Sequence, residues 1–193
     1  MNSKLRYIDP AAVRRLRQYS RKEQFYRVLW GFGAIAFRLV PRPFHGVRCG
    51  ILRLFGAQIG KNCSIANSAR IFCPWKLKMG DDCSIGDWAL IYSLGEVTLG
   101  DRSIVSHQAH LCAGTHDYER IDFPLVKLPV ILENECWVCA DAFVGPGVTI
   151  GTGAIIGASS VVLNDVEACT IVAGNPAKYI KGRSSSDEYS ADS

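Results

Sequence analysis

An all-β solenoid of stacked short parallel strands is predicted by three observations. The first is a six-residue echo in which an aliphatic residue precedes Gly or another small or acidic residue, as in Ile59-Gly60, Ile65-Ala66, Met79-Gly80, Ile85-Gly86, Leu99-Gly100, Val105-Ser106, Val144-Gly145, Ile150-Gly151 and Ile156-Gly157. A hexad does not match the 3.6-residue helical period, and it is too short for a helix-pair repeat. The second is phase. Three hexads make a coil of 18 residues, and the first-strand signatures begin at Ile59, Met79, Leu99, Leu132 and Ile150, so the steps are 20, 20, 33 and 18. The third is the long step, whose roughly fifteen extra residues fall just after Thr115-His116. Five complete coils and a partial sixth, starting near Ala168, form a triangular prism with an aliphatic interior.

The elements follow in order. Residues 1 to 53 hold twelve Lys or Arg against two acids, a net of +10, whereas residues 54 to 193 hold ten against sixteen, a net of −6. Within residues 1 to 56, Lys22 to Val40 reads as a helix with a broad apolar face (Phe25, Val28, Leu29, Phe32, Ile35, Ala36, Leu39), ended by Pro41-Arg42-Pro43, and a second short helix runs from Phe44 to Phe55. Two readings of these helices stay open: a cap over the unpaired strand edges of the solenoid, or a basic amphipathic helix on an anionic membrane surface. The uncharged run from Val28 to Phe37 is ten residues, half of the ~20 that span a bilayer. No cleavage site follows a proper apolar stretch, so neither a span nor a secretory signal is expected. The expectation is a cytoplasmic protein, with peripheral contact at the inner membrane face as the open alternative. No DNA- or RNA-reading motif accompanies the basic residues, and no nucleic-acid partner is expected.

The solenoid occupies 57–174 with a loop at 117–130, and 175–193 is a C-terminal segment whose Ser-rich acidic end, Ser184 to Ser193, is expected to be disordered. Cys63, Cys83 and Cys136 share the hexad slot that Ser103 and Ala154 fill elsewhere, so small size at a corner accounts for them. Cys136-Trp137-Val138-Cys139 has CxxC spacing but no second pair. His45 has no evident partner. In hexad phase His110 and His116 hold the sixth position of consecutive strands, at different corners of one coil, which separates them as ligands for one ion within a chain; a site shared between chains stays open.

His116 stands where regular coil gives way to the loop, a position that can be both fixed and covered, as a general base requires. There is no nucleophile elbow, Walker loop or Rossmann glycine pattern. Direct transfer to an acceptor, without a covalent enzyme intermediate, suits a lone histidine.

Several stretches together resemble the hexapeptide-repeat O-acetyltransferases: Gly114-Thr115-His116-Asp117, the coil at Glu135-Cys136-Trp137-Val138, Gly145-Pro146-Gly147-Val148-Thr149-Ile150-Gly151 and Val172-Ala173-Gly174-Asn175-Pro176-Ala177-Lys178. The chain looks most like the exopolysaccharide branch, alongside maltose and galactoside acetyltransferases. The resemblance implies a left-handed parallel β-helix, against the usual right-handed crossover preference, and a homotrimer with active sites in the grooves between prisms. It also implies acetyl-CoA as donor, a saccharide hydroxyl as acceptor, and no metal. By motif, His116 is the general base, and Tyr92, Ser93, Asp117 and Trp137 face the substrate groove, with a buried or interface aromatic as the alternative for Trp137. Ala140, Ala158, Asn164, Lys178 and Lys181 match the CoA-binding positions. Leu163-Asn164-Asp165 lacks the lysine that relatives often carry, and Leu94 replaces an acidic acceptor-side residue of the galactoside enzymes. Two other classes stay in play, a metalloenzyme of the γ-carbonic anhydrase type and a non-catalytic scaffold.

Overall fold

The computed structural model describes residues 19–183, so the expected disorder of Ser184 to Ser193 and the basic residues of 1–18 lie outside the described residues. Two helices, α1 (Arg21–Leu39) and α2 (His45–Leu54), precede a three-faced prism. The first face stacks Gln58–Ile59, Leu77–Met79, Val97–Leu99, Val130–Leu132 and Thr149–Ile150, and an isolated bridge to Val166 starts a sixth coil. The second stacks Ser64–Ile65, Ser84–Ile85, Ile104–Val105, Trp137–Val138, Ile155–Ile156 and Thr170–Ala173. The third stacks Arg70–Ile71, Leu90–Tyr92, His110–Cys112, Phe143–Val144 and Val161–Val162. The register matches the hexad phase, with Ile59 beside Met79, Met79 beside Leu99, Leu99 beside Leu132 and Leu132 beside Ile150.

The inward aliphatic of each strand is buried, as for Ile65, Ile85, Val105, Val138 and Ile156 on the second face. Strands of two or three residues bury little alone, and the core exists only because each coil stacks on the next. The glycine of the echo has a local cause. At the first edge Asp81 Oδ1 accepts from Lys61 N (2.7 Å), Asp101 Oδ1 from Asp81 N (2.8 Å) and Asn134 Oδ1 from Asp101 N (2.9 Å). A Cβ at Gly60, Gly80 or Gly100 would collide with those oxygens, so the ladder of side-chain acceptors requires glycine beneath it.

From the inward residue of the third face to that of the next first face, the distance is 8 residues (Ile71 to Met79), 8 (Ile91 to Leu99) and 21 (Leu111 to Leu132), against 6 from Val144 to Ile150 and at the other two edges, and 4 from Val162 to Val166. Every insertion therefore falls at one edge. A 3₁₀ turn at Pro74–Lys76 fills the first, and the third is an arm, an antiparallel hairpin of Gly114–His116 with Leu125–Lys127. The coil breaks at Gly114, earlier than the sequence phase places it, because Ala113 is the last residue buried in regular register before the hairpin pairs Thr115 with Val126.

The cap satisfies the first coil face by face. Arg53 donates to Ile59 O (3.1 Å) and Gly60 O (2.7 Å), Arg48 Nε to Ile65 O (2.7 Å), and Trp30 Nε1 to Ile71 O (2.8 Å). Each otherwise offers an open sheet-edge carbonyl. Helix α1 starts with a capping interaction, Ser20 Oγ accepting from Glu23 N at 3.1 Å. Its buried stripe is Trp30, Gly33 and Phe37. Gly33 permits that approach, since a Cβ there would lie 2.5 Å from the Phe55 ring. The broad apolar face of the sequence reading is the opposite one and is exposed. His45, without a partner in the sequence reading, accepts at Nδ1 from Arg48 (2.8 Å) and lies 3.1 Å from Ser64 Oγ.

Candidate active site

The arm positions His116. Its Nδ1 lies 2.8 Å from Phe123 O, and because a carbonyl only accepts, Nδ1 carries the proton and donates. In the neutral ring Nε2 is then the unprotonated nitrogen, available to accept a proton. The Phe123 ring stacks on the imidazole with centroids 4.5 Å apart and planes 8° from parallel. Of the ten described non-glycine residues with positive φ, nine sit in the corner columns of the coil, and the tenth is Phe123 at 46°. Holding a bulky residue there costs about 1–3 kcal/mol, and the result is a carbonyl aimed at His116.

The rest of the arm is braced. Asp117 N donates to Pro124 O (3.0 Å), its Oδ1 accepts from Glu119 N (3.1 Å), and Arg120 forks onto Asp122 at 2.9 and 2.7 Å. At the base of the arm Lys127 Nζ lies 3.4 Å from Glu23, which also meets Lys76 at 3.6 Å. The arm that carries His116 is thus tied to α1 of the cap.

Tyr92, at the end of the third face beside the arm, is half-buried with its ring 4.9 Å from Phe72, and burial pushes its phenol pKa up. Ser93 does not face a groove. It is fully buried, and its hydroxyl accepts from Cys73 N (2.9 Å) and donates to Cys73 O (3.0 Å), so its hydrogen bonding is spent on joining two coils. Leu94 is likewise buried, directly beneath Gly114. Asn164 is exposed at this same edge, two coils further along, beside a pocket of about 310 Å³ that Thr170, Pro176 and Tyr179 also line.

The other expected residues lie elsewhere on the prism. Trp137 stands on the second face between Ile104 and Ile155, half-exposed, with Nε1 donating to Ser106 Oγ at 2.9 Å. Ala140 and Ala158 occupy one column on the edge between the second and third faces, where Ser159 N donates to Ala140 O at 2.9 Å. Lys178 and Lys181 lie on an exposed strand, Lys178–Gly182, that pairs antiparallel with Thr170–Ala173 and so extends the second face. One chain therefore divides the expected site between two edges: His116, Asp117, Tyr92 and Asn164 on one, Trp137, Ala140, Ala158, Lys178 and Lys181 on or beside the other.

The family model "Bacterial transferase hexapeptide (six repeats)" matches residues 129–164, the fourth and fifth coils. Over 154 residues the chain is 40% identical to colanic acid biosynthesis acetyltransferase WcaF of Escherichia coli (strain K12), an alignment covering 80% of this chain and 85% of that protein. The chain belongs to the hexapeptide-repeat acetyltransferases.

Among solved structures, a hexapeptide-repeat acetyltransferase of Vibrio cholerae O1 biovar eltor complexed with acetyl coenzyme A superposes with a TM-score of 0.79 at 20% identity, covering 88% of this chain and 93% of that one. A maltose O-acetyltransferase from Clostridium difficile 630 superposes at 0.78 with 21% identity, covering 86% and 90%. The prism is the left-handed parallel β-helix of the hexapeptide-repeat acetyltransferases.

In this hexapeptide-repeat chain the three clustered histidines occupy three different places. His107 is in the column of Ala140, His110 is on the third face beside Leu111, and His116 is on the arm, outside any coil, rather than at a coil corner as hexad phase suggests. Among the described residues no group of three or more His, Cys, Asp or Glu side chains converges as a metal site would. The corner thiols point inward and donate to the next coil, Cys83 Sγ to Gly100 O (3.0 Å) and Cys136 Sγ to Gly151 O (3.2 Å), and burial pushes both pKa values up to about 11. They are protonated at neutral pH and therefore poor ligands or nucleophiles.

His110 is half-buried between the edges of Tyr92 and Phe143, its Nε2 without a partner among the described residues, and burial lowers its pKa. The unfolded chain, with His near ~6.5, then binds more protons than the folded one. The stabilising contribution is present above that value and is lost as pH falls through the window toward the lowered folded pKa. Denaturant melts at pH 7, 6 and 5 should show falling stability that His110→Leu flattens; an unchanged slope in the variant would assign the effect to other groups.

The residues that sequence reasoning missed are Phe123, Ser106 and the Glu23, Lys76 and Lys127 cluster. Phe123 acts through a backbone carbonyl, which leaves no side-chain signature. Glu23 and Lys127 stand 104 residues apart, and no local pattern links them.

Proposed function

We propose that the chain transfers the acetyl group of acetyl-CoA directly to a saccharide hydroxyl, as a homotrimer with His116 as general base. The observation that carries this reading is the His116 tautomer, with Nδ1 committed to Phe123 O and Nε2 left as a proton acceptor. Nε2 takes the proton of the acceptor hydroxyl as its oxygen bonds to the thioester carbonyl carbon. The tetrahedral adduct collapses with cleavage of the C–S bond, and the CoA sulfur leaves with the proton returned by His116. The Phe123 carbonyl steadies the imidazolium in between.

The trimer is supported by the division of the site. A second copy that sets its Trp137 face and its Ala140 and Ala158 column against the arm of the first would unite base and donor in one groove, and closed rotational symmetry would make three such grooves. Lys178 and Lys181 would meet the CoA phosphates as charge-assisted donors. The saccharide acceptor is supported by WcaF, described as a colanic acid biosynthesis enzyme, and by the maltose O-acetyltransferase. The buried Leu94 gives the acceptor groove no acidic group at that position, which argues against a simple galactoside.

Mixing subunits tests both parts. His116→Ala and Ala158→Trp chains should each be inactive with labelled acetyl-CoA and a panel of lipid-linked, nucleotide-linked and free sugars. Co-expressed, they should regain activity at about a quarter of the sites, those pairing an intact His116 with a neighbour's intact Ala158 column. Mixed oligomers that stay inactive would refute a shared site, and label released only to water across the panel would refute the saccharide acceptor.

A further inference from the structure

The outward face of α1 carries Phe25, Val28, Phe32, Ile35 and Leu39, each between 59% and 76% exposed. Their spacing of three and four residues draws one continuous apolar stripe along a helix of 19 residues. An apolar stripe of this length on a surface marks a contact site, and the charges around it indicate the partner. Arg21 and Lys22 are exposed at one end of the helix and Arg38 at the other, while Arg42, just beyond, is paired with Asp87 of the prism. The one acid of the described cap, Glu23, is turned inward to Lys76 and Lys127 and contributes nothing to the outer rim. The outer face is therefore an apolar stripe flanked by Arg21, Lys22 and Arg38, with Asp87 at its far end already paired with Arg42.

We infer that this face docks on the anionic surface of a lipid bilayer, with the stripe set among the acyl chains just below the headgroups and the rim paired with lipid phosphates. No helix of the described residues is long and apolar enough to cross a membrane, so the helix lies in the interface. A second copy docked stripe to stripe would set the same three cations, Arg21, Lys22 and Arg38, against their own counterparts. Residues 1–18 carry five basic residues against Asp9 and are no better matched.

Co-sedimentation of the full chain with phosphatidylcholine vesicles, with and without phosphatidylglycerol, tests the inference. Binding should require the anionic lipid, weaken about tenfold between low and high salt, and be lost in Phe32→Glu/Ile35→Glu while Phe32→Leu/Ile35→Leu retains it. Both positions are exposed, so circular dichroism and thermal melting should be unchanged in either variant. Failure to sediment with anionic vesicles at low salt, or sedimentation of the Glu variant at the level of the unsubstituted chain, overturns the inference. A fall in oligomer mass by light scattering in the Glu variant, without vesicle binding by the parent, would assign the stripe to a second copy instead.

Discussion

His116→Ala should lower kcat for acetyl transfer by about 10²–10⁴-fold, the range that a positioned general base contributes. The Michaelis constant for acetyl-CoA should stay near that of the unsubstituted chain, because Ala140, Ala158, Lys178 and Lys181, the residues proposed for the donor, lie on another edge of the prism. The fold should be unaffected, since His116 sits half-buried on an arm outside the stacked coils. Phe123→Ala is the companion measurement. It removes the stacked ring but keeps a carbonyl at the same backbone position. Losing an aromatic pair of ~0.5–1.5 kcal/mol should lower kcat about 3–10-fold. Near-normal turnover in His116→Ala would overturn the mechanism.

The largest stability effect is expected at Arg48. It is fully buried with no carboxylate beside it, and its donors are all engaged, with Ile65 O, Val40 O, Pro41 O, Arg42 O and His45 Nδ1. Three of those carbonyls lie just beyond the C-terminal end of α1, where the helix dipole favours a cation. Arg48→Met keeps much of the apolar stem but orphans the acceptors and unties α1, α2 and the second face from one another. We expect a loss of about 3–5 kcal/mol, or a fall of roughly 6–20 °C in melting temperature for a chain of this size. Arg48→Lys should recover little, because one ammonium cannot reproduce the planar fork. Calorimetry decides the point, and a shift below about 1 kcal/mol would mean that water replaces the guanidinium.

Coil register was legible in the sequence because it is a local property. The inward aliphatics recur every six residues, and the two-residue excess after Ile71 and after Ile91, like the long excess after Leu111, can be counted without knowing the fold. His116 was legible as a break in that count. Other features required the fold. Ser93 looked like a groove residue because polarity alone does not reveal that Cys73 consumes its hydroxyl. Whether the apolar face of α1 packs or faces out was left open by its hydrophobic stripe, and Gly33 and the reach of Trp30 to Ile71 O select the opposite face for packing.

By itself the sequence determined the solenoid, its phase, the place where the coil breaks and the charge division between cap and prism, because each follows from the order and type of neighbouring residues. Tertiary structure alone decided which nitrogen of His116 is free, which side of α1 faces out, and that the positions proposed for base and donor lie on different edges of one chain. These depend on backbone carbonyls and on residues brought together from up to 104 positions apart. Such groups carry no signature in the order of the residues.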